Sequence, residues 1–330
     1  ASTGGSSNDN LVQPYSNASG NLFISVLDNT NNNAAGANPG TSEQTSGVSV
    51  AFLPYGSGFT GASVSSGGTI IAGNLPAGVT VARPGGTGNY AISGLSTAGN
   101  LLAFTNGDSG TLADNICNVR ITNGRWQVQT RDNGNFIQDN DWSFVYLPPA
   151  TTGVFSGLVS STGVVSNTNS LPSSLGVTAT VSAAGIDLQI GDGSVINPTT
   201  AALFLTADTT SGGDSNAAAD NLISWSANGN SFRIFTQDLV ELTSAFEAID
   251  MRFLVLPYAP LQVPPTLTLT APANGSMTKS PVSVAFTIAD AAPAGSVQLS
   301  FGSNVLALAA SQATLGMHSF SFNPANPTAS

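Results

Sequence analysis

Twenty residues, 114–133, constrain this chain more than any other stretch, because they are written as a β-hairpin and the chain writes them three times. Two runs with alternating apolar side chains flank Asn123-Gly124. That dipeptide suits a type I′ turn, in which both central residues need positive φ. Residues 220–239 repeat the pattern, with Asn228-Gly229 at the turn and Phe232 in the place of Trp126. Residues 9–29 repeat it again, with Leu22 in that place after a turn one residue longer. The leading Asp-Asn pairs begin at Asp9, Asp114 and Asp220, 105 and 106 residues apart.

A second element recurs with the first. Residues 48–54, 142–148 and 251–257 are apolar strands that each end in Leu-Pro. A terminal proline removes a ladder donor, so each strand should stop there or run along an edge. Glycine- and serine-rich runs follow the first two copies, at 56–68 and 153–163. Upstream of the second hairpin lie three candidate strands, 78–81, 89–92 and 100–104, matched before the third by 176–181, 186–190 and 202–205. A complete module therefore carries about seven strands in about 100 residues, which is β-sandwich scale. Residues 242–249 read as a short helical insertion. The expected fold is all-β: tandem β-sandwich modules, the first incomplete, with boundaries at 1–62, 63–157, 158–262 and 263–330.

Composition narrows the function classes. Hydrophobic residues make up 41% of the 330 and charged residues only 8%. Disorder needs the opposite balance. With 7 Lys and Arg against 18 Asp and Glu, a formal charge of −11 repels a phosphate backbone, so nucleic acid is not expected as a partner. Lys279 is the single lysine, leaving no polybasic patch for anionic lipid, and no apolar run approaches the roughly 20 residues of a membrane helix. A chain opening Ala1-Ser2-Thr3-Gly4 is compatible with a leader already removed. The low charge and the Thr, Asn and Gly content point to the cell exterior or surface.

Beyond Pro264-Pro265, residues 266–276 resemble the opening of a bacterial immunoglobulin-like repeat, the spacer module of large surface proteins. Strands at 282–288, 297–301 and 318–322 continue that pattern, and the segment ends short of the ~100 residues of a full domain. The preceding modules, with their Phe-Val-aromatic-Leu-Pro strand, are similar to repeats of large secreted bacterial surface proteins. The resemblance implies an extracellular location and no particular activity.

Groups able to do chemistry are few. A Ser-His-Asp or Cys-His set requires a histidine, and His318 is the only one. One His and one Cys cannot make the usual zinc site. Cys117 has no partner for an intrachain disulfide and matches Val12 and Ile223 in the other copies, as a small buried hydrophobe would. Glu241, Glu247 and Asp250 cluster before a strand, as a solvated loop does; glycoside hydrolysis would need two of them across a cleft. Calcium is the one cofactor that the loops could hold, through Asp108, Asp114, Asp208, Asp214 and Asp220, since hard cations take oxygen ligands from acidic loops. The competing reading is that these residues form turns. Trp126 and Trp142 are apolar in every copy and read as core, whereas Trp225 matches Val119 and Pro14 and is the candidate sugar platform.

The first module begins at its central hairpin, and the last begins properly but stops early. Such half-sandwiches leave an apolar face and unpaired backbone edges. Neighbouring modules of a larger chain, or strands from further copies in a homo-polymer, would complete them. The sequence thus predicts an extracellular structural or adhesive protein, a filament subunit joined head to tail by strand complementation. The alternative is a carbohydrate-binding accessory region of a secreted polysaccharide-active enzyme, with a surface glycan as its partner.

Overall fold

The computed structural model describes residues 2–3, 10–16, 22–28, 47–53, 59–84, 86–106, 115–132, 136–149, 151, 153–170, 175–211, 221–238, 246–258, 267–272, 282–288, 298–301, 304–307 and 316–322. It divides into two compact units, Ala1–Pro260 and Leu261–Ser330. Both are built from strands alone among the described residues. Residues 246–249 of the expected helical insertion are irregular rather than helical; the rest of that insertion lies outside the described residues.

The first module contributes β1 (Ser2–Thr3), β2 (Asn10–Ser16), β3 (Leu22–Asp28) and β4 (Gly47–Val48). The second contains β5 (Thr60–Val64), β6 (Ile70–Gly73), β7 (Thr80–Ala82), β8 (Asn89–Ser93), β9 (Asn100–Thr105), β10 (Ile116–Thr122), β11 (Arg125–Arg131) and β12 (Trp142–Leu147). The third repeats these eight as β13 (Phe155–Val159), β14 (Val165–Ser170), β15 (Val177–Ser182), β16 (Gly185–Ile190), β17 (Ala201–Asp208), β18 (Asn221–Asn228), β19 (Ser231–Asp238) and β20 (Met251–Pro257). Strand order is the same in both complete modules. One layer runs β6-β5-β12-β9 and β14-β13-β20-β17; the other runs β7-β8-β11-β10 and β15-β16-β19-β18. Ala62, Val64, Leu101, Trp142, Phe144 and Tyr146 from one layer of the second module meet Tyr90, Ile92, Val119, Trp126 and Val128 from the other. That is the two-layer burial expected of a sandwich.

The strand count exceeds the expected seven because the glycine- and serine-rich runs are themselves strands. β5 and β13 pair along β12 and β20, and they span the positions 62/63 and 157/158 at which the sequence places module boundaries. The β10–β11 turn has Asn123 at φ 52° and Gly124 at φ 71°, as a type I′ turn requires. In the third module Asn228 pairs with Ser231, so the two-residue loop is Gly229-Asn230, one position later than the sequence suggests. Gly229 at φ 59° then occupies the first central position, where a type II′ turn places glycine.

Modules two and three are not separate beads. β10 pairs in parallel with β17, Asn118 opposite Ala207 and Val119 opposite Asp208, which fuses the two modules into one eight-stranded sheet. A second apolar cluster, with Leu102, Val145 and Leu147 of module two against Leu254 of module three and Leu53 of module one, fills the junction.

The second unit holds β21 (Leu267–Ala271), β22 (Val282–Ile288), β23 (Gln298–Phe301), β24 (Asn304–Ala307) and β25 (Gly316–Phe322). The first, second and fifth form a sheet ordered β21-β22-β25, and β23 and β24 form a hairpin. Val282, Val284 and Phe286 on β22 are buried, and the His318 ring lies 5.5 Å from that of Phe286.

Candidate functional site

The described acids of the loops bond backbone amides or neighbouring side chains within the fold. Asp250, just before β20, accepts from Ser161 N at 2.7 Å and from Ser211 Oγ at 3.0 Å. Asp141, just before β12, accepts from Ser66 N at 2.6 Å. These two carboxylates occupy the same module position and pin the same turn, β13–β14 in one case and β5–β6 in the other. Asp139 accepts from Gly88 N at 2.6 Å and pairs with Arg83. Glu247 accepts from Asn221 Nδ2 at 3.2 Å. Of the calcium candidates, Asp208 is 1% exposed and lies 2.6 Å from Arg252 Nε. Asp108, Asp114, Asp214 and Asp220, like Glu241, lie outside the described residues. Among the described residues no group of three His, Cys, Asp or Glu comes together.

Asp208 and Arg252 form a junction that the sequence reading passed over. The Arg252 guanidinium carbon stands 4.4 Å from the centre of the Trp126 ring in module two. Its Nη1 donates to Asn100 Oδ1 at 3.1 Å, also in module two. Asn100 Nδ2 in turn donates to Phe253 O at 3.0 Å. Burial depresses the Arg252 pKa, and the adjacent Asp208 opposes that shift. The signal was in the sequence: a lone arginine inside Met251-Arg252-Phe253-Leu254-Val255 cannot be buried without an acid.

The three tryptophans are buried, Trp126 and Trp142 completely and Trp225 to 5% exposure. Trp225 meets Phe232 edge to face at 5.2 Å. It also lines, with Val48, Pro198 and Tyr258, a cavity of about 350 Å³ between modules one and three. Cys117 is half-buried, and burial pushes its thiol up to about 12. It opens onto a cavity of about 120 Å³ shared with Val12 and Ile223, its counterparts in the other modules.

The remaining feature is a set of exposed apolar side chains in module one, Ile24 on β3 and Val50 and Phe52 in the irregular segment after β4. The repeat register aligns Ile24 with Val128 and Ile234, Val50 with Phe144 and Phe253, and Phe52 with Tyr146 and Val255. The counterparts are all at most 4% exposed. Ile24, Val50 and Phe52 are 43%, 61% and 75% exposed. In the complete modules the covering strands are β5 and β13, which pair with β12 and β20, and β8 and β16, which pair with β11 and β19. Among the described residues module one has no such strands.

No family model, curated protein or solved structure matches this chain.

Proposed function

We propose that this chain is an extracellular structural protein, a filament subunit whose first module is completed by strands of a neighbouring copy. The carrying observation is the exposure of Ile24, Val50 and Phe52 at positions that both complete modules bury. Fully burying an aliphatic or aromatic side chain is worth about 1.5–3 kcal/mol, so covering these three partly exposed ones offsets part of the cost of association. The shared eight-stranded sheet supports the same reading, since it makes neighbouring modules mechanically continuous. The rival glycan-binding reading needs an exposed aromatic row, and the three tryptophans are buried.

The test is direct. Purified chain should form linear polymers by negative-stain microscopy, and these should persist in mild denaturant. A Val50→Ser, Phe52→Ser double variant should stay folded by circular dichroism and lose the polymers. A wild-type chain that remains monomeric at high concentration would refute the proposal.

A further inference from the structure

We propose that the seam between modules three and one is a gate, which parts while the modules themselves stay folded and uncovers Trp225. The seam between modules two and three shows what a filled seam looks like. There Val119 on β10 faces Asp208 on β17 in parallel, and the Asp208 carboxylate lies 2.6 Å from Arg252 Nε. The same register recurs where Trp225 on β18 faces Thr3 on β1, with β4 paired to β1 as β20 is to β17. That register sets Thr3 in the place of Asp208 and Ser49 in the place of Arg252. Neither residue carries a charge, so the ion pair of the sibling seam cannot form here. One of the longest side chains has also been replaced by one of the shortest.

The replaced side chain leaves its space behind. Val48, Ser49, Pro198, Trp225, Ala227 and Tyr258 line the cavity of about 350 Å³ at this seam. On one wall, Val48 and Ser49 are the counterparts of Met251 and Arg252. On the other, Trp225 and Ala227 are the counterparts of Val119 and Ile121, and Ala227 pairs with Phe232 as Ile121 pairs with Trp126. The Arg252 guanidinium lies among those same elements of module two, 4.4 Å from the centre of the Trp126 ring. The void therefore falls where the sibling seam places its arginine, and the groups around it lose packing partners on that side. Chain order supplies a second, independent reason. Polypeptide joins module one to module two and module two to module three, whereas the contact of three with one closes without a covalent link. A seam with a void, without the buried pair and without a tether opens at the least cost. Module one stays attached to module two when it does, and the edge of β18 that β1 covers becomes free. Unfolding of the modules is a separate and later event.

Acrylamide quenching of tryptophan fluorescence in the full chain tests this along a urea series. The signal of Trp225 is the difference between wild type and Trp225→Phe at each urea concentration; Trp126 and Trp142, which are 0% exposed, supply the remainder. Quenching of Trp225 should rise severalfold well below the global unfolding transition, while that of the other two stays flat. Ser49→Met fills the void with a neutral side chain, and Thr3→Asp with Ser49→Arg transplants the sibling pair. Each should suppress the early rise without lowering the urea midpoint. If the ion-pair variant does not fold by circular dichroism, Ser49→Met decides. Trp225 that stays protected until all three tryptophans become accessible in one transition would overturn the proposal. So would a folded Ser49→Met chain whose early rise is unchanged.

Discussion

Arg252 shows how much one side chain can carry at a module junction. It is 1% exposed, ion-paired with Asp208, hydrogen-bonded to Asn100 and stacked on Trp126. Desolvating both ions offsets much of their attraction, so the pair itself adds little stability, but orphaning one partner leaves a buried charge. Arg252→Ala should therefore destabilise the first unit by about 3–5 kcal/mol in urea unfolding. Replacing Arg252 and Asp208 together by methionine and leucine should recover most of that loss. The Asp187–Arg233 pair behaves differently. It lies across β16 and β19, bidentate at 2.9 and 2.8 Å, and its side chains are 22% and 32% exposed. The hydrogen bonds from Arg233 hold the Asp187 carboxyl below the usual carboxylate range. A depressed folded-state pKa gives stabilisation that is present above the unfolded value of about 3.9 and disappears as pH falls through the folded value. Solvent screening limits it to about 0.5–1 kcal/mol. The stability gap between wild type and Asp187→Asn should thus be measurable at pH 7 and close as the pH falls below about 3.9 and through the depressed folded-state value.

At the scale of strands and turns, two glycines separate backbone preference from packing. A Cβ on Gly124 would meet nothing within 4 Å, so Gly124→Ala pays only for a left-handed conformation, about 1–2 kcal/mol. A Cβ on Gly61 would sit 2.5 Å from Phe144 O, where strand β5 lies against β12. No side-chain rotation relieves a clash with a backbone oxygen, so Gly61→Ala should cost more than Gly124→Ala in parallel denaturant titrations, and equal costs would refute the argument. The same two glycines mark what could be read in advance. Gly124 belongs to a local turn signal, and its hairpin was legible in three copies; the strands ending at Leu147 and Leu256 were legible too, whereas of the expected strand 48–54 only Val48 lies in a strand, β4, and residues 49–53 are irregular. Gly61 and Gly157 made their strands look like linker, because the reason for glycine there is a close neighbour far along the chain. Asp208 read as a loop ligand for the same reason: its partner is 44 residues away in sequence. Local periodicity reports strands and turns, whereas seams between modules depend on pairings that periodicity does not encode.

At the scale of the whole first unit, the seams follow one rule. Asn118 and Val119 on β10 face Ala207 and Asp208 on β17. Trp225 on β18, the counterpart of Val119, faces Thr3 on β1, again in parallel. β1 is in turn paired with β4 through Ser2 and Val48, as β17 is with β20 through Ala207 and Met251. Gln13 on β2, the counterpart of Asn118, donates to Thr105 Oγ1 at 3.1 Å on β9, which sits in the register of Ala207. Each module thus offers the edge of its central hairpin to the next: two to three, three to one, one to two. The three contacts close into a ring with pseudo-threefold symmetry, and Val12, Cys117 and Ile223 line the cavity at its centre. A linear array of repeats unfolds from its weakest module because each contacts only its neighbours. A closed ring has no end module, so the first unit should unfold as one block. Amide hydrogen exchange checks this: the slowest amides of β8 and β11 should report the same opening free energy as those of β16 and β19, and Gln13→Ala, acting only at the module one–two seam, should lower all four alike. If that substitution instead speeds exchange in β9 and leaves β16 and β19 untouched, the modules open independently and the ring does not couple them.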